Sequence, residues 1–171
     1  FADLVRGEVE VPLGPLSDPV VRRGDGSPTY LFASAVDDLD LGITHVIRGE
    51  DHLTNSGPQV AMAEALGGGA PAFAHLPLLQ DVAGGKLSKR AGSIALRDLR
   101  EEGIEPSAVV AVLATIGTGK APVTDPDALL RDFDLAAFAT SPPRLDLDEL
   151  RRTTAAVLHA IPFAVAEPRL R

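Results

Sequence analysis

Gly84-Gly85-Lys86-Leu87-Ser88-Lys89-Arg90 is the densest chemistry-bearing run in the chain. Two glycines give a loop the freedom to close, and two lysines, an arginine and a hydroxyl follow within five residues. Cations held ready in this way suit a substrate whose negative charge grows as a bond breaks, as on a phosphate chain. The run is not a P-loop, which needs G-x-x-x-x-G-K-[ST] between strand and helix. Gly117-Thr118-Gly119-Lys120 fails the same test, because Ala114 and Ala121 stand at the decisive positions, and it reads as a turn. The competing reading of residues 86–90 is a solvated basic face.

Four histidines raise the question of a metal. His45 and His52 are seven apart across a strand boundary, His75 sits in an apolar run, and no pair has H-E-x-x-H spacing. With no cysteine as well, core or turn histidines are expected, with no metal ligands and no zinc. The paired acids Asp37-Asp38 and Glu50-Asp51 have the chemistry to hold magnesium or a ribose, but paired acids at element ends are usually just solvated.

The elements that must position these groups change character along the chain. Glu8-Val9-Glu10-Val11 alternates at period 2, and Gly24 to Pro28 has turn composition. Thr29 to Leu41 reads as a helix with Tyr30, Ala33, Val36 and Leu41 near one face. Thr44 to Arg48 and Phe73 to Leu79 read as buried strands. Between them a helix runs from Ser56, capped by Ser56 or Asn55, to Leu66, where three glycines stop it. Strand, helix and strand over about 35 residues is what a parallel crossover requires. Helices are then expected over Ile94 to Glu102, from Glu105-Pro106 through Ile116 (so apolar that it must be buried), over Asp125 to Phe133 and over Asp146 to His159. A frayed tail follows Phe163. The fold class is therefore α/β, with an α/β layer over residues 1–92 and a small helical domain with its tail over 93–171.

Length and composition set the outer limits. At 171 residues, 16 Gly, 14 Pro and 45% hydrophobic, the chain can bury a real core as one domain or one domain with an appendage. Absent cysteines exclude a disulfide scaffold and favour a reducing compartment such as the cytoplasm. No apolar run reaches the roughly 20 residues of a membrane helix, so no membrane partner is expected. The net charge of −8 is uneven: residues 1–85 carry four basic and twelve acidic side chains, and residues 86–171 carry twelve of each. Nucleic acid would therefore need a local basic surface in the second half. The chain opens at Phe1 without a Met, which points to processing or to a piece of something longer.

Several blocks together resemble a known family. Asp3-Leu4-Val5-Arg6-Gly7, Asp25-Gly26-Ser27-Pro28-Thr29-Tyr30, Val36-Asp37-Asp38, Gly42 to Leu53 and Phe73 to Leu79 are similar to the later catalytic domain of glutamyl-tRNA synthetases. They keep the family's order and spacing, and they end in Lys86-Leu87-Ser88-Lys89-Arg90, which looks like the second class I signature loop. The resemblance continues through Arg100-Glu101-Glu102-Gly103 and Leu113 to Gly117, into Ser141-Pro142.

The resemblance implies the second half of a class I Rossmann-type core followed by a helical stem-contact domain. It implies ATP, with Mg2+, and glutamate as substrates, and the acceptor stem of tRNA as partner. Lys89 would contact the ATP phosphates, with Lys86 and Ser88 supporting the loop, while Asp51 and the strand end near Leu79 would border the nucleoside. Tyr30, Ser34 and Arg48 match positions around glutamate, where Arg48 would meet a carboxylate through its planar fork. Ser34 stands where many members have Asn. Arg90, Arg97 and Arg100 would face RNA. The family's first signature, H-[IV]-G-[HN], is absent, so the isolated chain is expected to be inactive, with a missing N-terminal half or another protein as a further partner. Two alternatives stay open: a free-standing truncated relative that binds tRNA or a protein without catalysis, and a relative that glutamylates a tRNA base.

Overall fold

The computed structural model describes residues 1–14, 18–85, 87 and 95–169. The chain divides into two compact units, Phe1–Leu78 and Leu79–Arg171. The boundary expected near residue 92 lies outside the described residues.

The first unit is built on one sheet. Its strands are β1 (Ala2–Asp3), β2 (Gly7–Glu8), β3 (His45–Gly49) and β4 (Ala72–Leu76), in the order β2-β1-β4-β3. β4 runs parallel to β1 and to β3, with His45 opposite Ala72 through to Gly49 opposite Leu76, and β2 joins β1 antiparallel. The expected parallel pair is therefore present. β4 is central, and Phe73, Ala74 and His75 are all buried, as a parallel strand covered on both faces demands. β3 lies at the edge and alternates: His45 and Ile47 are exposed, while Val46 and Arg48 are half-buried. Period-2 alternation thus turns Arg48 toward the covered face.

Two helices, α1 (Tyr30–Asp40) and α2 (Leu53–Ala65), pack against each other. On α1 the buried face differs from the apolar face read in the sequence. Ala35 is the buried point of α1, whereas Tyr30 and Leu41 are 55% and 75% exposed. α2 begins three residues earlier than its Ser-Gly-Pro sequence suggests, because a 3-10 turn at Glu50–His52 winds the chain into it without a break. Ser56 therefore lies inside the helix and is fully buried, and Pro58 is interior, where it withholds one backbone hydrogen bond. The strand expected over residues 8–11 shrinks to Gly7–Glu8, since β1 offers only two residues to pair with. Val11 instead packs on Gly57, where an added Cβ would stand 2.7 Å from the Val11 Cγ1.

The second unit is helical: α3 (Leu96–Glu101), α4 (Pro106–Thr115), α5 (Pro126–Asp132), α6 (Leu147–Ala160) and α7 (Phe163–Ala166). Asp125 and Asp146 cap α5 and α6 by accepting from the backbone N–H two residues on, at 3.1 and 2.9 Å. Leu99, Ile104, Val112, Leu145 and Leu150 form the core. α4 is buried on one face only, at Ala108, Ala111, Val112 and Thr115; Val110 and Leu113 remain exposed despite the helix's apolar composition. The tail expected to fray is wound, as α7 and a 3-10 turn at Glu167–Arg169.

Candidate functional site

Arg48 is the centre of a polar cluster near the C-terminal end of β3. Its Nε donates to the His75 Nε2 at 3.1 Å, and its Nη2 donates to the Ser56 Oγ at 2.6 Å and the Gln59 Oε1 at 2.7 Å. The guanidinium carbon lies 5.4 Å from the centroid of the Phe73 ring, a cation–π approach that steadies the guanidinium plane. A guanidinium has five N–H donors. Three are used inside the protein. The fork expected for a carboxylate is thus mostly consumed, and the two Nη1 donors have no acceptor among the described residues.

Behind Arg48 sits a buried ion-pair geometry. The His75 side chain is fully buried, its Nδ1 lies 2.6 Å from the Asp3 Oδ2, and its backbone N–H also donates to Asp3. Burial pushes the His75 imidazole below its usual range, opposed by Asp3 and reinforced by the charges of Arg48 and Arg6. Burial pushes the Asp3 carboxyl the other way, but it is outweighed by hydrogen bonds from His75 and from the Val5 and Arg6 backbone, and the net direction is down. The geometry fits a neutral imidazole beside a carboxylate, since the Arg48 Nε–H approaches Nε2 and the Asp3 Oδ2 faces Nδ1. Nδ1 carries the proton toward Asp3, and Nε2 accepts.

The rim is formed at the ends of the parallel strands, where ligands of open α/β sheets bind. The Tyr30 ring lies 5.9 Å from the His52 ring, and Asn55 Nδ2 donates to the His52 Nδ1 at 3.0 Å. Asp51 is exposed, with Gly49 close behind it. Glu50 pairs with Arg6, whose Nε also donates to the His75 carbonyl at 3.3 Å, tying the 4–7 turn to the ends of β3 and β4. On α1, burial raises the Asp38 carboxyl pKa, with the Arg48 charge opposing and Asp37 adding to it. Among the described residues no three His, Asp or Glu groups converge to hold a metal ion.

Of the residues singled out in the sequence, Tyr30, Ser34, Arg48 and Asp51 fall within the first unit, and Ser34 reaches Arg48 through Gln59. β4 ends at Leu76, so Leu79 lies past the strand and opens the second unit. Arg97 and Arg100 are exposed on α3. Lys86, Ser88, Lys89 and Arg90 lie outside the described residues. Sequence reasoning passed over Asp3, Ser56 and Gln59, and it read His75 as a core residue without a site. The signal was two polar residues on the buried face of α2: Ser56 and Gln59, three apart, lie on it with Ala63.

Residues 1–150 match the family described as tRNA synthetases class I (E and Q), catalytic domain. The chain is 50% identical to glutamate–tRNA ligase 1 of Maricaulis maris over 98% of its own length and 38% of that protein. It is 51% identical to glutamate–tRNA ligase 1 of Rhizorhabdus wittichii, over 99% and 39%. A solved glutamate–tRNA synthetase from Elizabethkingia anophelis superposes with a TM-score of 0.83 at 31% identity, covering 99% of this chain and 38% of that one. The chain thus spans well under half the length of these relatives.

Proposed function

Because this chain belongs to the family of class I tRNA synthetases for E and Q, we propose that it serves as a segment of a glutamate–tRNA ligase, acting in ATP-dependent activation of glutamate and its transfer to tRNA. The observation that carries this reading is the clamped Arg48, whose Nε and Nη2 are held by His75, Ser56 and Gln59 while Nη1 has no acceptor among the described residues. A cation held from three sides before the ligand arrives loses little freedom on binding a carboxylate.

The remaining roles are those that the family resemblance implies. Tyr30 lines the amino-acid site, while Ser34, whose hydroxyl is occupied by Gln59, acts through that residue. Asp51 borders the nucleoside. Lys89, supported by Lys86 and Ser88, meets the ATP phosphates as charge builds on them. Magnesium is brought by those phosphates, the usual way this ion is held. Arg90, Arg97 and Arg100 face the acceptor stem, in a cytoplasmic setting.

The test is glutamate-dependent ATP–pyrophosphate exchange by a Maricaulis maris ligase whose matching segment is replaced by this one. Arg48→Lys is expected to raise the KM for glutamate at least about tenfold, the cost of a lost charge-assisted hydrogen bond. Lys89→Ala is expected to lower the activation rate by roughly 10²–10³, and Lys86→Ala by less. Normal exchange in the Arg48 and Lys89 variants would overturn the assignment.

A further inference from the structure

We infer that His75, held by Asp3 in the tautomer with its proton on Nδ1, is the positioning residue for Arg48: its Nε2 takes the Arg48 Nε–H, which leaves Nη1 as the edge offered to a carboxylate. This rests on the reading of Arg48 as the group that meets the amino-acid substrate.

Nε2 of a neutral imidazole has one lone pair, and arginine has only donors. The 3.1 Å approach of Arg48 Nε to His75 Nε2 is therefore a hydrogen bond only while Nε2 is unprotonated. The Asp3 carboxylate, 2.6 Å from Nδ1, accepts only, so it claims the proton at that nitrogen and keeps Nε2 bare. The Ser56 hydroxyl accepts from Arg48 Nη2, and with Gln59 it holds the other end of the guanidinium, while its 3.0 Å contact with Nε2 shares the lone pair that takes the Arg48 Nε–H.

Protonation would reverse this. An Nε2–H would face the Arg48 Nε–H as donor against donor, and two positive charges would meet beside a fully buried ring. The charged and titratable groups around His75 are Asp3 on β1, Arg48 on β3 and Arg6 on the turn between β1 and β2; α2 contributes only the neutral Ser56 and Gln59. A purely structural histidine would need only its bond to Asp3. The bond to Arg48 adds a role in the site.

The experiment uses the complete ligase carrying this segment, with glutamate and ATP kinetics in exchange, and imidazole nitrogen NMR on the 171-residue chain. The NMR spectrum should show His75 protonated at Nδ1 and bare at Nε2; the opposite tautomer overturns the inference. His75→Leu should raise the glutamate KM about 10- to 100-fold, as expected when a charged donor loses its acceptor, with the KM for ATP unchanged. His75→Gln, whose carbonyl can take the place of Nε2, should restore glutamate KM to within about threefold. The rise in wild-type glutamate KM on acidification should be absent in His75→Gln. If His75→Leu lowers folded yield and the KM values of both substrates move together, His75 is structural and the inference fails. Arg48→Lys separates the two proposals: if it leaves glutamate KM unchanged, the reading of Arg48 itself fails. If Arg48→Lys raises it while His75→Leu and the pH profile do not, only the positioning role fails.

Discussion

Ser34 on α1 and Gln59 on α2 are joined by a 2.6 Å hydrogen bond, in which the Gln59 Nε2 donates to the Ser34 Oγ. The same hydroxyl donates to the Leu31 carbonyl at 3.2 Å, so both of its roles are filled within the protein. Gln59 then turns its Oε1 to Arg48. Ser34→Ala leaves the buried Gln59 amide with an unmet donor, and Gln59→Ala removes the bond from the other side. A double-mutant cycle in urea should give a coupling of about 1 kcal/mol. Additive effects would show that the bond contributes nothing to holding α1 on α2.

Acid should weaken the first unit in two stages. His75 titrates below its usual 6.5 in the folded unit because of burial, so unfolded chains bind its proton first. Its contribution is therefore whole above about pH 6.5 and is lost as pH falls toward the lowered folded value. Asp3 is also lowered, so its share persists to about 3.8 and is lost as pH falls through its folded value. Tyr30 is the chain's one tyrosine and no tryptophan is present, so its emission reports this unit. Urea midpoints followed at Tyr30 should fall between about pH 7 and 5, and that slope should be missing in His75→Gln. A flat wild-type profile over this range would contradict a buried neutral imidazole.

Gly49 sits at a close approach rather than at a strained backbone position. Its φ of −69° suits any residue. An added Cβ, however, would stand 2.5 Å from the Asp51 Oδ1 and 3.0 Å from the Leu78 Cδ2. Because the Asp51 side chain is 56% exposed, it can swing away at a cost of about 1 kcal/mol or less. Gly49→Ala should therefore leave stability nearly intact while raising the KM for ATP in the complete ligase several-fold. An unchanged ATP KM with Asp51 displaced would remove Asp51 from the nucleoside site.

Periodicity revealed what depends on local pattern. The β3–β4 pair, the crossing helix and the aspartate caps at Asp125 and Asp146 are each announced by neighbours in sequence. The cluster around Arg48 is not, because Asp3, Arg48, Ser56, Gln59 and His75 come from β1, β3, α2 and β4 and meet only through strand register. Arg48 was legible through family resemblance, while its partners looked like ordinary core or cap residues. Ser56 shows why: Asn55-Ser56-Gly57-Pro58 has the composition of a helix start, and only the preceding 3-10 turn places Ser56 inside the helix, against Arg48. Local capping chemistry and tertiary hydrogen bonding competed for that serine, and the half-buried guanidinium won.

α3 carries two exposed arginines. Arg97 and Arg100 are three apart on this helix and both exposed, while Leu99 between them anchors the core. Residues at that spacing share a face, and neither arginine holds the helix in place. Replacing both with glutamate should therefore leave the thermal midpoint nearly unchanged. If the pair meets the phosphates of an acceptor stem, tRNA affinity of the complete ligase should drop, and the slope of log K against log salt should flatten by roughly one for each phosphate no longer neutralised. The same drop should appear with any tRNA sequence of equal shape, since backbone recognition carries no base information. A face that docks protein instead would give variants with wild-type tRNA affinity and an unaltered salt slope, and that result would end the RNA reading of α3.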